Sequence, residues 1–281
     1  MRFRGLLLIQ AAFMSGCSSL FYHPTRDELV YRDKLPLRPT DIHFQSKDGT
    51  KLHAWHFPAL GTKNPKAAIV LFHGNAENLS SHFIQLYEAP ARGYAYLIFD
   101  YRGYGKSEGS PKPKGTVEDG VAAIRWMHSN YPNTPLVIFG QSLGGAVAFK
   151  AVNQIKDEIK ISLIVADSTF HDYRSAARSL FARNWLLFLF QPLAWALADN
   201  SASPKDDIPE LSPIPLLIVH GTKDPVVDYS LGQEVYALAK DPKEFWSIPE
   251  GRHIDFMLRE SGKYGDKLFE RLDQMFDSSR K

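Results

Sequence analysis

A serine hydroxyl is a weak nucleophile until a base takes its proton and the backbone lifts it clear of its surroundings. Gly140-Gln141-Ser142-Leu143-Gly144 offers Ser142 for that role, since its flanking glycines permit a turn in which larger side chains would strike backbone. The base is expected late in the chain, on a loop after the last apolar run. Of the ten histidines, His253 in Pro249-Glu250-Gly251-Arg252-His253 stands there, after Lys243–Ile248. His53 and His56 fall in an early alternating segment and His128 ends a helix, whereas His73 and His220 each precede Gly and suit structural roles. A carboxylate must then fix the imidazole tautomer and stabilise its cation. Asp224, in His220-Gly221-Thr222-Lys223-Asp224-Pro225, lies between Ser142 and His253 in the chain; its other reading is an Asx-Pro turn residue. Asp167, after Leu163–Ala166, is the second candidate acid. A tetrahedral oxyanion needs preorganised N–H donors, each worth roughly 2.7–4 kcal/mol. The backbone amides of Leu143 and of Asn75, in His73-Gly74-Asn75-Ala76, are positioned to supply them.

Other chemistries find less support. Asp100-Tyr101-Arg102-Gly103-Tyr104-Gly105-Lys106-Ser107 is a Gly-rich loop, but its glycines match only a fragment of G-x-G-x-x-G, and no Walker pattern is present. No histidine or carboxylate set has metal-ligand spacing, so neither metal nor cofactor is expected. With 33 basic and 31 acidic side chains the net charge is +2, which argues against a polyanion surface, and nucleic acid is not an expected partner.

These residues need a fold that gathers them. At 281 residues, 44% apolar and 23% charged, the chain suits one large folded domain. Asp41–Ser46 and Lys51–Phe57 alternate around Asp48-Gly49 and read as a hairpin. Continuous apolar runs follow at Ala67–Phe72, Tyr94–Phe99, Leu136–Phe139, Leu163–Ala166 and Leu216–Val219, separated by helix-length segments. Runs of that kind predict an α/β fold with a mostly parallel central sheet and helices on both faces. Four of them end in His73, Asp100, the Ser142 turn and His220, on the carboxyl edge where open α/β sheets bind ligands. An amphipathic helix is expected from about Gly262 to Phe276. The segment from Ser168 to Asp207 is too long and apolar for a plain connection and reads as a helical cap over the site.

The combination His73-Gly74-Asn75-Ala76-Glu77-Asn78, Phe99–Ser107, Gly140-Gln141-Ser142-Leu143-Gly144-Gly145 and Asp167-Ser168-Thr169-Phe170 resembles the α/β-hydrolase superfamily from about Asp41 to the C-terminus. It looks like the branch holding uncharacterised bacterial hydrolases and membrane-associated thioesterases that remove palmitoyl groups from proteins. The resemblance implies a Ser142–His253–Asp224 triad acting through an acyl-enzyme. The expected activity is hydrolysis of esters or thioesters, with a small-molecule or lipid-like acyl substrate. Peptide hydrolysis by the same triad, and a catalytically silent binding lipoprotein, are the alternatives.

The N-terminus has a positive start, an apolar stretch from Leu6 to Met14, and Ser15-Gly16 before the single cysteine, Cys17. Met14-Ser15-Gly16-Cys17 resembles a bacterial lipoprotein signal, with Met14 where the pattern more often has Leu. That likeness implies an export signal over 1–16, lipidation at Cys17, and a tether or irregular surface wrap over 17–40 with no catalytic part. The hydrolase domain would then span 41–281, its cap at about 168–207. Ser18 after the cysteine implies a lipid-anchored place in the bacterial envelope, at the outer membrane.

Overall fold

The computed structural model describes residues 21–182 and 191–277. Its centre is an eight-stranded sheet: β1 (Thr40–Gln45), β2 (Lys51–Phe57), β3 (Ala68–Phe72), β4 (Ala95–Phe99), β5 (Leu136–Gln141), β6 (Leu163–Asp167), β7 (Leu216–Gly221) and β8 (Lys243–Ile248). The spatial order is β8-β7-β6-β5-β3-β4-β2-β1. Strands β3 to β8 run parallel, β2 pairs antiparallel with β4, and the expected hairpin β1–β2 forms that edge. Strands β5, β6 and β7 run one or two residues beyond their apolar runs, because Gln141 still pairs with Asp167, Asp167 with Val219, and His220 and Gly221 with Ser247 and Ile248. This is the expected α/β-hydrolase fold.

Strand periodicity sends alternate side chains to opposite faces, and both faces are covered. Ala68, Val70 and Phe72 of β3 join Leu97 and Ile138 in one core, while Ile69 and Leu71 join Tyr96, Ile98, Val137 and Phe139 in the other. After α1 (Leu79–His82), the helices α2 (Pro113–Asn130) and α3 (Leu143–Ile155) cover the first face with Val117, Ile124, Val147 and Val152. Of the later helices, α4 (Tyr173–Ala182), α5 (Gln191–Leu197), α6 (Tyr229–Leu238) and α7 (Lys263–Asp277), the last closes the second face with Leu268, Phe269, Leu272 and Phe276. Each fully buried side chain of this size contributes roughly 1.5–3 kcal/mol. Two-sided burial explains why these strands read as unbroken apolar runs.

Residues 21–40 lie on the domain and do not stand off as a tether. Tyr22 is buried, with its hydroxyl 3.2 Å from Thr116 Oγ1, and Phe21 meets the Tyr173 ring edge-on at 5.0 Å. His23–Pro24 pairs in parallel with Ala76–Glu77, directly after the His73-Gly74-Asn75 turn. The apolar Phe21-Tyr22 pair and the free backbone donors of this segment dock it. Cys17 and the 1–16 signal lie outside the described residues.

Part of the expected cap, 183–190, is also outside them. In the remainder, α4 packs on α5, Ala177 and Ala198 are buried together, and the Arg174 guanidinium lies 4.7 Å from the centre of the Trp195 ring. Asp172 caps α4 by accepting the Ser175 N–H at 2.7 Å. Asn200, beyond α5, accepts from Tyr173 N–H and donates to Asp172 Oδ2 at 2.7 Å, clasping the two ends of the segment.

Candidate active site

The chain leaves β3 for β4 on one side and later returns to lay β5 on the other, so the carboxyl ends of β3 and β5 form the crevice expected at a topological switch. Phe72 pairs with Gly140, which sets the loop after β3 beside the turn after β5. Ser142 occupies that turn at φ 54°, ψ −121°, a conformation costing on the order of 1–3 kcal/mol that persists only where surroundings fix it. Two glycines do so by close approach. A Cβ on Gly144 would lie 2.2 Å from the Phe72 carbonyl oxygen, and one on Gly140 would lie 2.6 Å from Gly145 Cα. Hydrogen bonds hold the turn from both sides, with Ser142 N–H donating to the Asp167 carbonyl at 2.8 Å and Thr169 Oγ1 donating to the Ser142 carbonyl at 2.7 Å.

Leu143 opens α3, so its N–H has no acceptor within the helix and sits at the positive end of the helix dipole. Gly74 faces Ser142 so closely that a Cβ there would be 3.8 Å from Ser142 Cβ, and Asn75 follows it. Both expected backbone donors thus border the serine.

His253 and Asp224 meet directly, with His253 Nδ1 2.8 Å from Asp224 Oδ2. Asp224 Oδ1 accepts the N–H groups of Val226 and Val227 at 2.8 and 2.9 Å, and His220 Nε2 lies 3.4 Å from Oδ2. Burial acts to raise this carboxyl, but bonds from His220, His253 and the backbone outweigh it and hold it far below the usual carboxylate range. An ionised Asp224 accepts at Nδ1, so His253 carries its proton there and leaves Nε2 as the basic nitrogen. His220, read as structural, bonds the Val227 carbonyl at 3.1 Å and steadies the Asp224 loop.

Asp167, the second candidate acid, is not the histidine's partner. It is fully buried, accepting Gln141 Nε2 at 3.2 Å and Ser168 Oγ at 3.0 Å, and burial pushes its carboxyl up to about 6 despite those bonds. Ser168 Oγ in turn accepts the N–H of Ile254, next to His253. One buried carboxyl therefore ties the residue before Ser142 to the residue after His253, which links serine and histidine across β6.

Several residues have roles at this site that the sequence does not assign. Tyr101 and Tyr104 donate to the carbonyls of His73 and Asn75 at 3.1 and 2.7 Å, and Asn78 Nδ2 donates to Thr25 and Asp27 carbonyls. His82 stacks on His73 with ring centres 5.3 Å apart, and a Cβ on Gly74 would meet His82 Cε1 at 3.5 Å as well as Ser142 Cβ at 3.8 Å. His73 is neutral, since burial and the neighbouring His82 bring it down to about 3. The Asp100–Ser107 loop has structural work: Asp100 accepts Leu79 N–H at 2.8 Å, and Arg102 grips buried Asp119 through two nitrogens. Among the described residues, no group of three or more His, Cys, Asp or Glu could hold a metal ion, and no helix is long and apolar enough to cross a membrane.

Comparison with known proteins agrees with this fold. The family model described as serine aminopeptidase, S33 (Hydrolase_4) matches residues 63–212, a stretch that contains Ser142 and ends before Asp224. The chain is 35% identical over 258 residues to the uncharacterised protein YfhR of Escherichia coli K12, covering 90% of this chain and 85% of that one. It is 31% identical over 199 residues to the lysophosphatidylserine lipase ABHD12 of Gallus gallus, covering 68% of this chain and 51% of the lipase. Among solved structures, the Pyrococcus furiosus esterase Pf2001 superposes with a TM-score of 0.70 at 22% identity, over 90% of this chain and all of that one. The chain therefore belongs to the serine aminopeptidase S33 (Hydrolase_4) family of α/β-hydrolases.

Proposed function

We propose that the protein is a serine hydrolase that cleaves carboxylic esters or thioesters of acyl chains through an acyl-enzyme on Ser142. The observation that carries this reading is the 2.8 Å bond between His253 and an ionised Asp224, on the same sheet edge as a serine held at φ 54°. Ser142 Oγ attacks the acyl carbon while His253 Nε2 takes its proton, and the backbone amides of Leu143 and Asn75 receive the negative oxygen. Collapse expels the alcohol or thiol, protonated by His253. Water then attacks the acyl-serine with His253 again as base, releasing the acid and restoring Ser142. The segment from about 168 to 207 acts as a cap that shapes the acyl pocket, with exposed Leu193 and Trp195 contributing apolar surface. The animal relatives named as lysophosphatidylserine lipases make a lipid ester the first substrate class to test.

The family description favours a second reading, aminopeptidase action by the same residues. Lipidation at Cys17 and a lipid-anchored place in the bacterial envelope belong to the proposal too, resting on Met14-Ser15-Gly16-Cys17. The full chain and Ser142→Ala are to be treated with a fluorophosphonate probe and assayed on p-nitrophenyl esters of increasing length and on aminoacyl amides. Labelling and ester turnover that vanish in the variant support the hydrolase. Preferred amide turnover moves the assignment to a peptidase, and a folded chain that does not label leaves only a binding role. Loss of radiolabelled palmitate incorporation in Cys17→Ser tests the anchor.

A further inference from the structure

An oxyanion amide is useful only if it points at the developing charge before the reaction begins. A peptide group is planar and trans, so the Asn75 N–H points opposite to the Gly74 carbonyl, and whatever holds that oxygen aims the amide. His73 holds it: Nδ1 lies 2.8 Å from the Gly74 oxygen, and because a carbonyl only accepts, Nδ1 carries the proton. The following peptide is held as well. The Asn75 carbonyl oxygen receives Tyr104 Oη at 2.7 Å and the His23 N–H at 3.0 Å. Asn75 is thus clamped by one bond before it and two after it, and one of those two comes from residues 21–40.

That segment is itself held firmly. Thr25 N–H donates to the Glu77 carbonyl at 3.1 Å, securing a non-glycine residue at φ 63°. Asn78 Nδ2 donates to the Thr25 and Asp27 carbonyls at 2.9 and 2.7 Å, and Gly105 N–H also donates to Thr25. Tyr22 is buried beside Tyr101, Tyr104 and Tyr173 in the same core. A mere surface covering would not direct its backbone donors into the loop that borders the serine.

We propose that Tyr22–Asp27 is a positioning strap for the reaction: His23 N–H, together with Tyr104 Oη, fixes the Asn75 carbonyl and so keeps the Asn75 N–H aimed at the oxyanion. The inference rests on the hydrolase reading, in which Asn75 is an oxyanion donor. Tyr104 stays protonated and able to donate, since burial raises its phenol well above the ordinary range. The strap also connects the segment carrying Cys17 to the reacting centre.

The test uses the full chain with His23→Pro, which deletes one N–H, and Tyr104→Phe, which deletes one hydroxyl. Each should lower kcat on a p-nitrophenyl ester about ten- to a hundred-fold, the effect expected of a misaimed group. KM should stay within about two-fold, because the oxyanion exists only after attack. The fluorophosphonate labelling rate should fall in parallel, since the phosphonyl oxygen uses the same donors. Folded variants with kcat and labelling rate within two-fold of the parent overturn the proposal, as does a KM increase that accounts for all the loss. Should His23→Pro not fold, Tyr104→Phe alone decides by the same criteria. A parent chain that neither labels nor turns over ester refutes the hydrolase reading itself, an outcome distinct from a labelled parent with unaffected variants.

Discussion

Replacing Asp224 by Asn separates the two candidate acids with a change of one atom. Asp224 Oδ1 accepts two backbone N–H groups at 2.8 and 2.9 Å, so the asparagine oxygen must stay there; turning the amide round would set its NH2 against two donors. The NH2 therefore faces His253 Nδ1 at the position where Oδ2 now accepts at 2.8 Å. Two donors cannot share that contact, so the histidine proton moves to Nε2 and the nitrogen proposed to take the serine proton loses its lone pair. In an enzyme with this arrangement the same exchange lowers kcat about 10⁴-fold, or roughly 5.5 kcal/mol of barrier. We expect a loss of that order in kcat for p-nitrophenyl esters, with circular dichroism unchanged. The folded carboxyl titrates below its unfolded value, so its stabilisation is complete above about pH 4 and fades as pH falls further; Asp224→Asn should lack that acid-side fade. A kcat within ten-fold of the parent, or a 10⁴-fold loss in Asp167→Asn instead, would refute the assignment.

Asp167 titrates above an unfolded aspartate, so its contribution is most favourable below about pH 4 and is lost as pH rises towards 6, an effect on the order of 2–3 kcal/mol. Asp167→Asn should flatten the melting temperature across that window while keeping kcat within ten-fold; an undiminished slope tells against it. Gly144→Ala should lower the melting temperature by at least about 2–4 °C in a scan, because its Cβ would sit 2.2 Å from the Phe72 carbonyl oxygen. Arg102→Ala removes the guanidinium from fully buried Asp119, leaving the residue-102 N–H bond, and should cost about 3–5 kcal/mol in urea unfolding, with the kcat of the folded fraction little changed.

What the sequence made legible follows from which forces are local. Strands buried on both faces must be apolar throughout, so β3 to β7 show as runs such as Ile69-Val70-Leu71-Phe72. The Ser142 turn shows because backbone passes within van der Waals distance and only glycine fits. His253 and Asp224 stand out because each follows a strand on the carboxyl edge, and their mutual bond agrees with that reading. The strap, Tyr104 and Asn78 carry no such mark. Their roles are hydrogen bonds between segments about 29 to 53 residues apart, and no periodicity or spacing encodes a partner so distant. The closest signal is the aromatic pair Phe21-Tyr22 ahead of a stretch rich in Pro, Arg and Asp, which is what a docked segment needs.

The clasp between Asp172 and Asn200 separates two kinds of change. Because the segment above the sheet departs from and returns to one hydrogen-bonded point, its interior can lengthen, shorten or alter its lining without shifting the pairing of β6 with β7. On the proposed reading of this segment as a cap, substitutions between these two residues alter which acyl group enters, while the serine, histidine and aspartate keep their spacing. Selection on substrate range and selection on bond cleavage thus act on different stretches of the same chain.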